Sequence, residues 1–159
     1  MSEVDHLNDA ILASRYFYGY MGVASALVLA NLGAAYGTAK SGVGICALGV
    51  IKPDAIVKSV IPVIMAGILG IYGLIVAIII GQKLKNEQYT YYEAWRHLAG
   101  GLCCGISSLG AGVAIGIAGD AGVRALGKQD RIFVGMMLIL IFAEALGLYG
   151  LIISLILSS

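Results

Sequence analysis

Apolar positions in this chain come in long blocks rather than in the short alternation of strands. Four blocks, about 17–45, 57–80, 98–123 and 132–156, are long and apolar enough to cross a bilayer as helices. Short polar segments separate them, around Ile51-Lys52-Pro53-Asp54, over 83–96 and over 120–131. Pro53 falls just inside the start of a new helix, and Pro62 stands near the beginning of the second span, where a lost backbone bond matters least. The segment 83–96 mixes Tyr89, Tyr91, Tyr92 and Trp95 with charges, as at a membrane–water boundary. The pattern predicts an all-α membrane protein of four transmembrane helices. It divides into a polar N-terminal segment 1–16, a helical hairpin 17–82, a polar loop 83–96 and a second hairpin 97–159.

Within the spans, small side chains recur every fourth position: Gly33, Gly37 and Ser41 in the first, Ser108, Gly112 and Gly116 in the third. That spacing makes one flat helix face suited to close approach, so Gly33, Gly37, Gly112 and Gly116 are candidate packing residues. Asn31, on the first span, is an uncharged polar group able to bond across a helix interface.

The fourth span carries one ionisable acid, Glu144. It lies about 20 Å from Arg131 at one end and from Ser158 at the other, at roughly 1.5 Å per residue. That is the middle of a bilayer. An ionised acid there costs at least ~3 kcal/mol on insertion scales. The group is therefore expected to be neutral in lipid, to ionise only where water or a cation reaches it, and so to act as a proton carrier. A structural Glu bonded to a neighbouring helix is the plainer alternative.

The two halves are copies of one hairpin. Residues 66–75 (AGILGIYGLI) match 143–152 (AEALGLYGLI) at an offset of 77, and Gly33, Ala35, Gly37 and Ala39 match Gly112, Ala114, Gly116 and Ala118 at an offset of 79. An even number of spans separates the copies, so they run parallel in the membrane, an arrangement that suits a ring. Glu144 in the second copy answers to Gly67 in the first, leaving one ionisable site per chain.

Composition narrows the function. With 60% hydrophobic and 12% charged residues, the 159-residue chain has no room for a soluble catalytic domain. A net charge of +1 argues against a nucleic-acid partner. Cys46, Cys103 and Cys104 lack zinc-site spacing and read as small packing residues, and His6 and His97 are isolated and expected near water. No Gly-x-x-x-x-Gly-Lys-Ser/Thr loop is present, so nucleotide chemistry belongs elsewhere. Lys40, Lys52, Lys58, Arg124, Lys128 and Arg131 outnumber Arg15, Lys83, Lys85 and Arg96 on the other side. The excess puts the first and third loops in the cytosol and both termini in the lumen.

The stretches Leu32–Gly42 (LGAAYGTAKSG), Pro62–Gly67 (PVIMAG), Ala114–Arg124 (AIGIAGDAGVR) and Phe133–Glu144 (FVGMMLILIFAE) resemble the proteolipid c subunits of eukaryotic vacuolar-type, proton-pumping ATPases. The likeness covers nearly everything after about Tyr18 and departs in the acidic N-terminus and around Lys83 to Arg96. It implies a ring of c-type proteolipids in the membrane of the vacuole or other acidic compartments, turned by a central stalk with its subunit d as a separate soluble sector hydrolyses ATP. Glu144 would load a proton from a cytosolic half-channel, cross lipid as the neutral acid and discharge where a membrane Arg of stator subunit a stabilises the carboxylate. The first and third helices would form the inner wall of the ring and the second and fourth the outer. No cofactor is implied, the transported ion being a proton, and the chain would be no enzyme on its own.

Several alternatives stay open. Sodium-carrying relatives have Thr-Gln just before the Gly-x-Tyr-Gly of the second helix, where this chain has Ile68 and Leu69. Gly67, Tyr149, Ser107 and Ser108 are possible neighbours of the carboxyl. A minor paralogous ring subunit and a small proton-coupled secondary transporter are the other readings; the duplication counts against the transporter.

Overall fold

The computed structural model describes residues 3–86 and 88–159, and its order is helical throughout. Helix α1 runs Glu3–Ile51, a 3-10 turn Pro53–Ala55 leads to the short α2, Ile56–Ser59, and then come α3 Ile61–Lys83, α4 Tyr91–Leu126 and α5 Ile132–Ser158. Among the described residues, four helical stretches, His6–Ile51, Pro53–Lys83, Tyr91–Leu126 and Ile132–Ser158, are long and apolar enough to cross a membrane.

The element bounds depart from the expected ones at three places. The polar segment expected over 1–16 is, from Glu3 onward, the first part of α1. It contains no Gly or Pro to interrupt a helix. At 49 residues α1 is about 74 Å long, well beyond the ~30 Å hydrocarbon core. The second span does not begin as one helix. Lys52 is extended (φ −141°, ψ 78°) as the residue before a proline tends to be, and α2 stops at Ser59 before α3 starts with Pro62 in its first turn.

The third departure is the polar loop expected over 83–96, which spans only 84–90. Thr90 and Glu93 close a capping box: the Glu93 amide donates to Thr90 Oγ1 at 3.3 Å, and the Thr90 amide to Glu93 Oε2 at 2.8 Å. Two orphan donors are satisfied reciprocally, and α4 begins at Tyr91.

Helices α1 and α4 are parallel and make the most extensive contact. A Cβ on Gly33 would lie 2.6 Å from the Ser108 carbonyl oxygen, one on Gly37 2.8 Å from that of Gly112, and one on Gly116 3.1 Å from the Gly37 Cα. A Cβ on Gly112 would fall on the Gly33 backbone. The four predicted packing glycines therefore share one seam inside the protomer. Gly101 meets Gly22 further along. Residues in this seam meet their own counterparts in the other copy, at the offset of 79.

Helix α3 packs on α1 and also reaches α4 and α5, and α5 packs on α4, whereas α1 and α5 have no comparable contact. One core cluster lies among Ala66, Leu69, Ala111, Ile115, Leu140 and Ala143; a second gathers Val76, Ile80, Tyr89 and Cys104 nearer the 84–90 loop. At that end Tyr16 stacks on Tyr89 and Tyr18 on Trp95, with ring centroids 5.6 and 4.6 Å apart. His97, expected near water, is buried, its Nδ1 2.8 Å from the Tyr89 hydroxyl. The early start of α4 draws it under the loop. Cys104 packs as expected, but Cys46 is exposed.

Candidate functional site

Glu144 stands near the middle of α5, a helix without another charged side chain. Its burial follows from the residues one turn to either side. Leu140 is buried with Leu69, Ala111 and Ile115. On the same face, Gly147 turns its bare backbone to Leu69 and Ala111, with Tyr72 beside it. The carboxyl lies between these positions and retains 7% of its exposure. Both carboxyl oxygens are cut off from solvent and neither has a hydrogen-bond partner.

Tyr72 of α3 is the polar side chain that acts on this carboxyl, its hydroxyl approaching without reaching hydrogen-bond geometry. An ionised carboxylate in such a wall would leave its lone pairs unmet, at a cost of several kcal/mol. Such a wall therefore favours the neutral acid. The arrangement can hold one proton away from water, and it can exchange that proton only after the carboxyl leaves this wall or a polar partner enters it.

The other predicted neighbours are elsewhere. Tyr149 points away from the protomer and is 62% exposed. A side chain at Gly67 would meet nothing within 4 Å, so the position facing Glu144 in the sequence alignment of the two copies is not opposite it in space. Ser108 is fully buried in the α1–α4 seam, and the Ser107 hydroxyl donates to the Cys104 carbonyl at 3.1 Å. Tyr72 escaped sequence reasoning, although the duplication carried the signal. Tyr72 is the first-copy counterpart of Tyr149, and two parallel hairpins laid side by side bring the first copy's Tyr to the second copy's carboxyl.

Among the described residues no group of three or more His, Cys, Asp or Glu could hold a metal ion. At the end opposite the 84–90 loop, Asp120 bridges Arg124 (2.7 Å) and Lys40 (3.5 Å), and Lys52 pairs with Asp130 (2.8 Å). The Lys52 ammonium, by its hydrogen bond and then its charge, holds the exposed Asp130 carboxyl below the usual carboxylate range.

The family of ATP synthase C subunits matches the chain twice, over 21–80 and 98–157. A V-type proton ATPase 16 kDa proteolipid subunit of Chrysotila carterae is 63% identical over 96% of each chain. The chain belongs to the V-type proton ATPase proteolipid c family. Among further relatives, a V-type proton ATPase 16 kDa proteolipid of Caenorhabditis elegans is 61% identical over 90% of each chain. The corresponding 16 kDa proteolipid of Rattus norvegicus is 59% identical over 90% of this chain and 92% of its own. The two segments that match the ATP synthase C family begin 77 residues apart, at 21 and 98, which is the offset that relates Gly67 to Glu144. The first segment thus contains α3 with Gly67 and Tyr72, the second α5 with Glu144 and Tyr149.

Proposed function

We propose that this chain is the proton-carrying element of the membrane sector of a V-type proton ATPase, with Glu144 as the group reversibly protonated. The observation that carries this reading is a lone carboxyl at the centre of an apolar helix, shut from water with both oxygens unpartnered. Such a group is stable only when neutral, so it moves through hydrocarbon with its proton on. It gives the proton up where a cation and water replace the wall formed by Leu69, Tyr72 and Ala111. A membrane Arg of the stator subunit a fits that role, because an opposite charge favours the carboxylate.

The chains assemble into a ring, with α1 and α4 toward its axis and α3 and α5 outward, and the ring turns with the central stalk and its subunit d. The termini face the lumen of the vacuole or another acidic endomembrane compartment, since the Lys40, Lys52, Lys58, Arg124, Lys128 and Arg131 end carries more positive charge. ATP is hydrolysed by other subunits. A proton is favoured over sodium because the wall offers one hydroxyl, Tyr72, where a hard cation requires several oxygens.

The test is Glu144→Gln in the assembled enzyme. The amide mimics the neutral acid, so rings form, while vesicle acidification and coupled ATP hydrolysis fall to background. A hydrophobic carbodiimide, which needs a protonated carboxyl reachable from lipid, labels the wild type at Glu144 ahead of its eight other acids, and the variant not at all. Acidification by the Gln variant at the wild-type rate would make Glu144 a packing residue.

A further inference from the structure

Two polar groups lie uncovered on apolar stretches of the protomer, on different flanks. Asn31 of α1 is exposed; its amide nitrogen donates to the Leu27 carbonyl at 2.9 Å, while its Oδ1 stays beside Gly70 with no donor. It edges a groove of about 340 Å3 formed with Leu27, Gly67, Gly70, Ile71 and Leu74. On α5, the Tyr149 ring is exposed. An amide oxygen and a phenol left in hydrocarbon without partners are costly, and burying both together removes both costs.

The two groups stand at one depth. Gly70 faces Asn31 and Ala34 across the α3–α1 contact, and Gly147 faces Leu69 and Tyr72 across the α5–α3 contact. Asn31, Gly70 and Gly147 therefore share a level. Tyr149 is rooted two residues further on, about 3 Å along the axis, and a helical side chain leans back toward the N-terminus of its helix, here toward that level.

The chain already makes this contact once, internally. Tyr72, the counterpart of Tyr149, lies against Gly147 and approaches Glu144. The counterparts of Gly147 and Glu144 in the first copy are Gly70 and Gly67. The relation between the copies is head-to-tail, since α3 of the first reaches α4 and α5 of the second, while α1 has no comparable contact with α5. A head-to-tail step can be repeated. Applied once more, it lays α5 of one chain against α1 and α3 of the next, with Tyr149 over Gly67 and Gly70.

We propose that the Asn31–Gly67–Gly70 groove is the docking site for a second copy of this chain, whose Tyr149 ring fills the space above the two glycines and whose hydroxyl donates to Asn31 Oδ1. Inside the chain the phenol of Tyr72 approaches the carboxyl of Glu144. Between chains Gly67 has no carboxyl to offer, and Asn31 supplies the acceptor instead. The contact rests on the ring reading above and names the residues by which the ring closes.

The experiment measures ring-sized species from membranes, extracted in mild detergent and separated on native gels. Gly67→Leu projects into the groove from a position where an added Cβ meets nothing within 4 Å in its own protomer, so its helix content should equal the wild type while its ring yield falls about tenfold or more. A second measurement does not depend on that variant folding. With Cys46, Cys103 and Cys104 replaced by alanine, Asn31→Cys with Tyr149→Cys should give a ladder of chains joined by a short bifunctional thiol reagent, and either single variant should not. Wild-type rings accompanied by a normal ring yield for Gly67→Leu, or by no ladder, would overturn this contact alone. A wild-type chain that stays monomeric under the same extraction would overturn the ring reading itself.

Discussion

Gly110 and Gly112 lie two residues apart on α4, and alanine at the two positions should act in opposite directions. At Gly110 a Cβ meets nothing within 4 Å. Only helix propensity then changes, which favours Ala over Gly by about 0.8–1 kcal/mol. At Gly112 the same methyl falls on the Gly33 carbonyl group, with the Gly33 Cα 2.7 Å away. Carbon atoms rest at about 3.5–4.0 Å, so α1 and α4 must part by roughly 1 Å. Neither side can yield locally, because the obstructing atoms are backbone, and the separation loosens the Gly37 and Gly116 contacts in the same seam. Overpacking of this kind costs typically ~1–3 kcal/mol. The propensity gain is common to both positions, so the two variants should differ by the overpacking cost, about 1–3 kcal/mol in unfolding free energy, Gly110→Ala lying above the wild type and Gly112→Ala below it. Reversible unfolding of the purified chain in mixed micelles, followed by circular dichroism as denaturing detergent rises, measures the difference. Equal midpoints for the two variants would refute the seam. Because the seam lies within one protomer, larger residues at Gly37 or Gly116 should damage folding before they damage assembly.

Two further outcomes follow from the ends of the bundle. Thr90→Ala removes the side-chain half of the capping box and should cost about 1 kcal/mol, seen as faster amide exchange over 91–94 with no change over 111–119. At the opposite end, the Asp130 carboxyl is held below its ordinary value by Lys52. The pair's contribution is thus present above the unfolded carboxyl value, near ~3.9, and is lost as pH falls through the lower folded value. Carbonyl-carbon NMR titration should show Asp130 ionising below that value in the wild type and near it in Lys52→Gln; coincident curves would deny the pairing.

Much of this architecture was legible because a bilayer leaves little choice. Four apolar blocks of sufficient length must be helices, since lipid offers no partners for the backbone, and a lone Glu144 midway along the last must be neutral. The four-residue spacing of Gly33, Gly37, Gly112 and Gly116 and the repeat at 77 to 79 residues likewise needed only the order of residues. The capping box was also written in the chain, as Thr90 followed three residues later by Glu93, and reading it would have started α4 at Tyr91. Hydropathy alone had ended the span at the first charges. What the linear chain could not decide was which flank each helix face meets. Gly67 and Glu144 are aligned in sequence, yet the step from one copy to the next is a head-to-tail displacement, so counterparts do not face each other across α3 and α5. That displacement turns Tyr72 inward to the carboxyl and leaves its twin Tyr149 outside. Closely similar local sequences receive different surroundings, because burial depends on which helix lies alongside and in which direction the repeat advances.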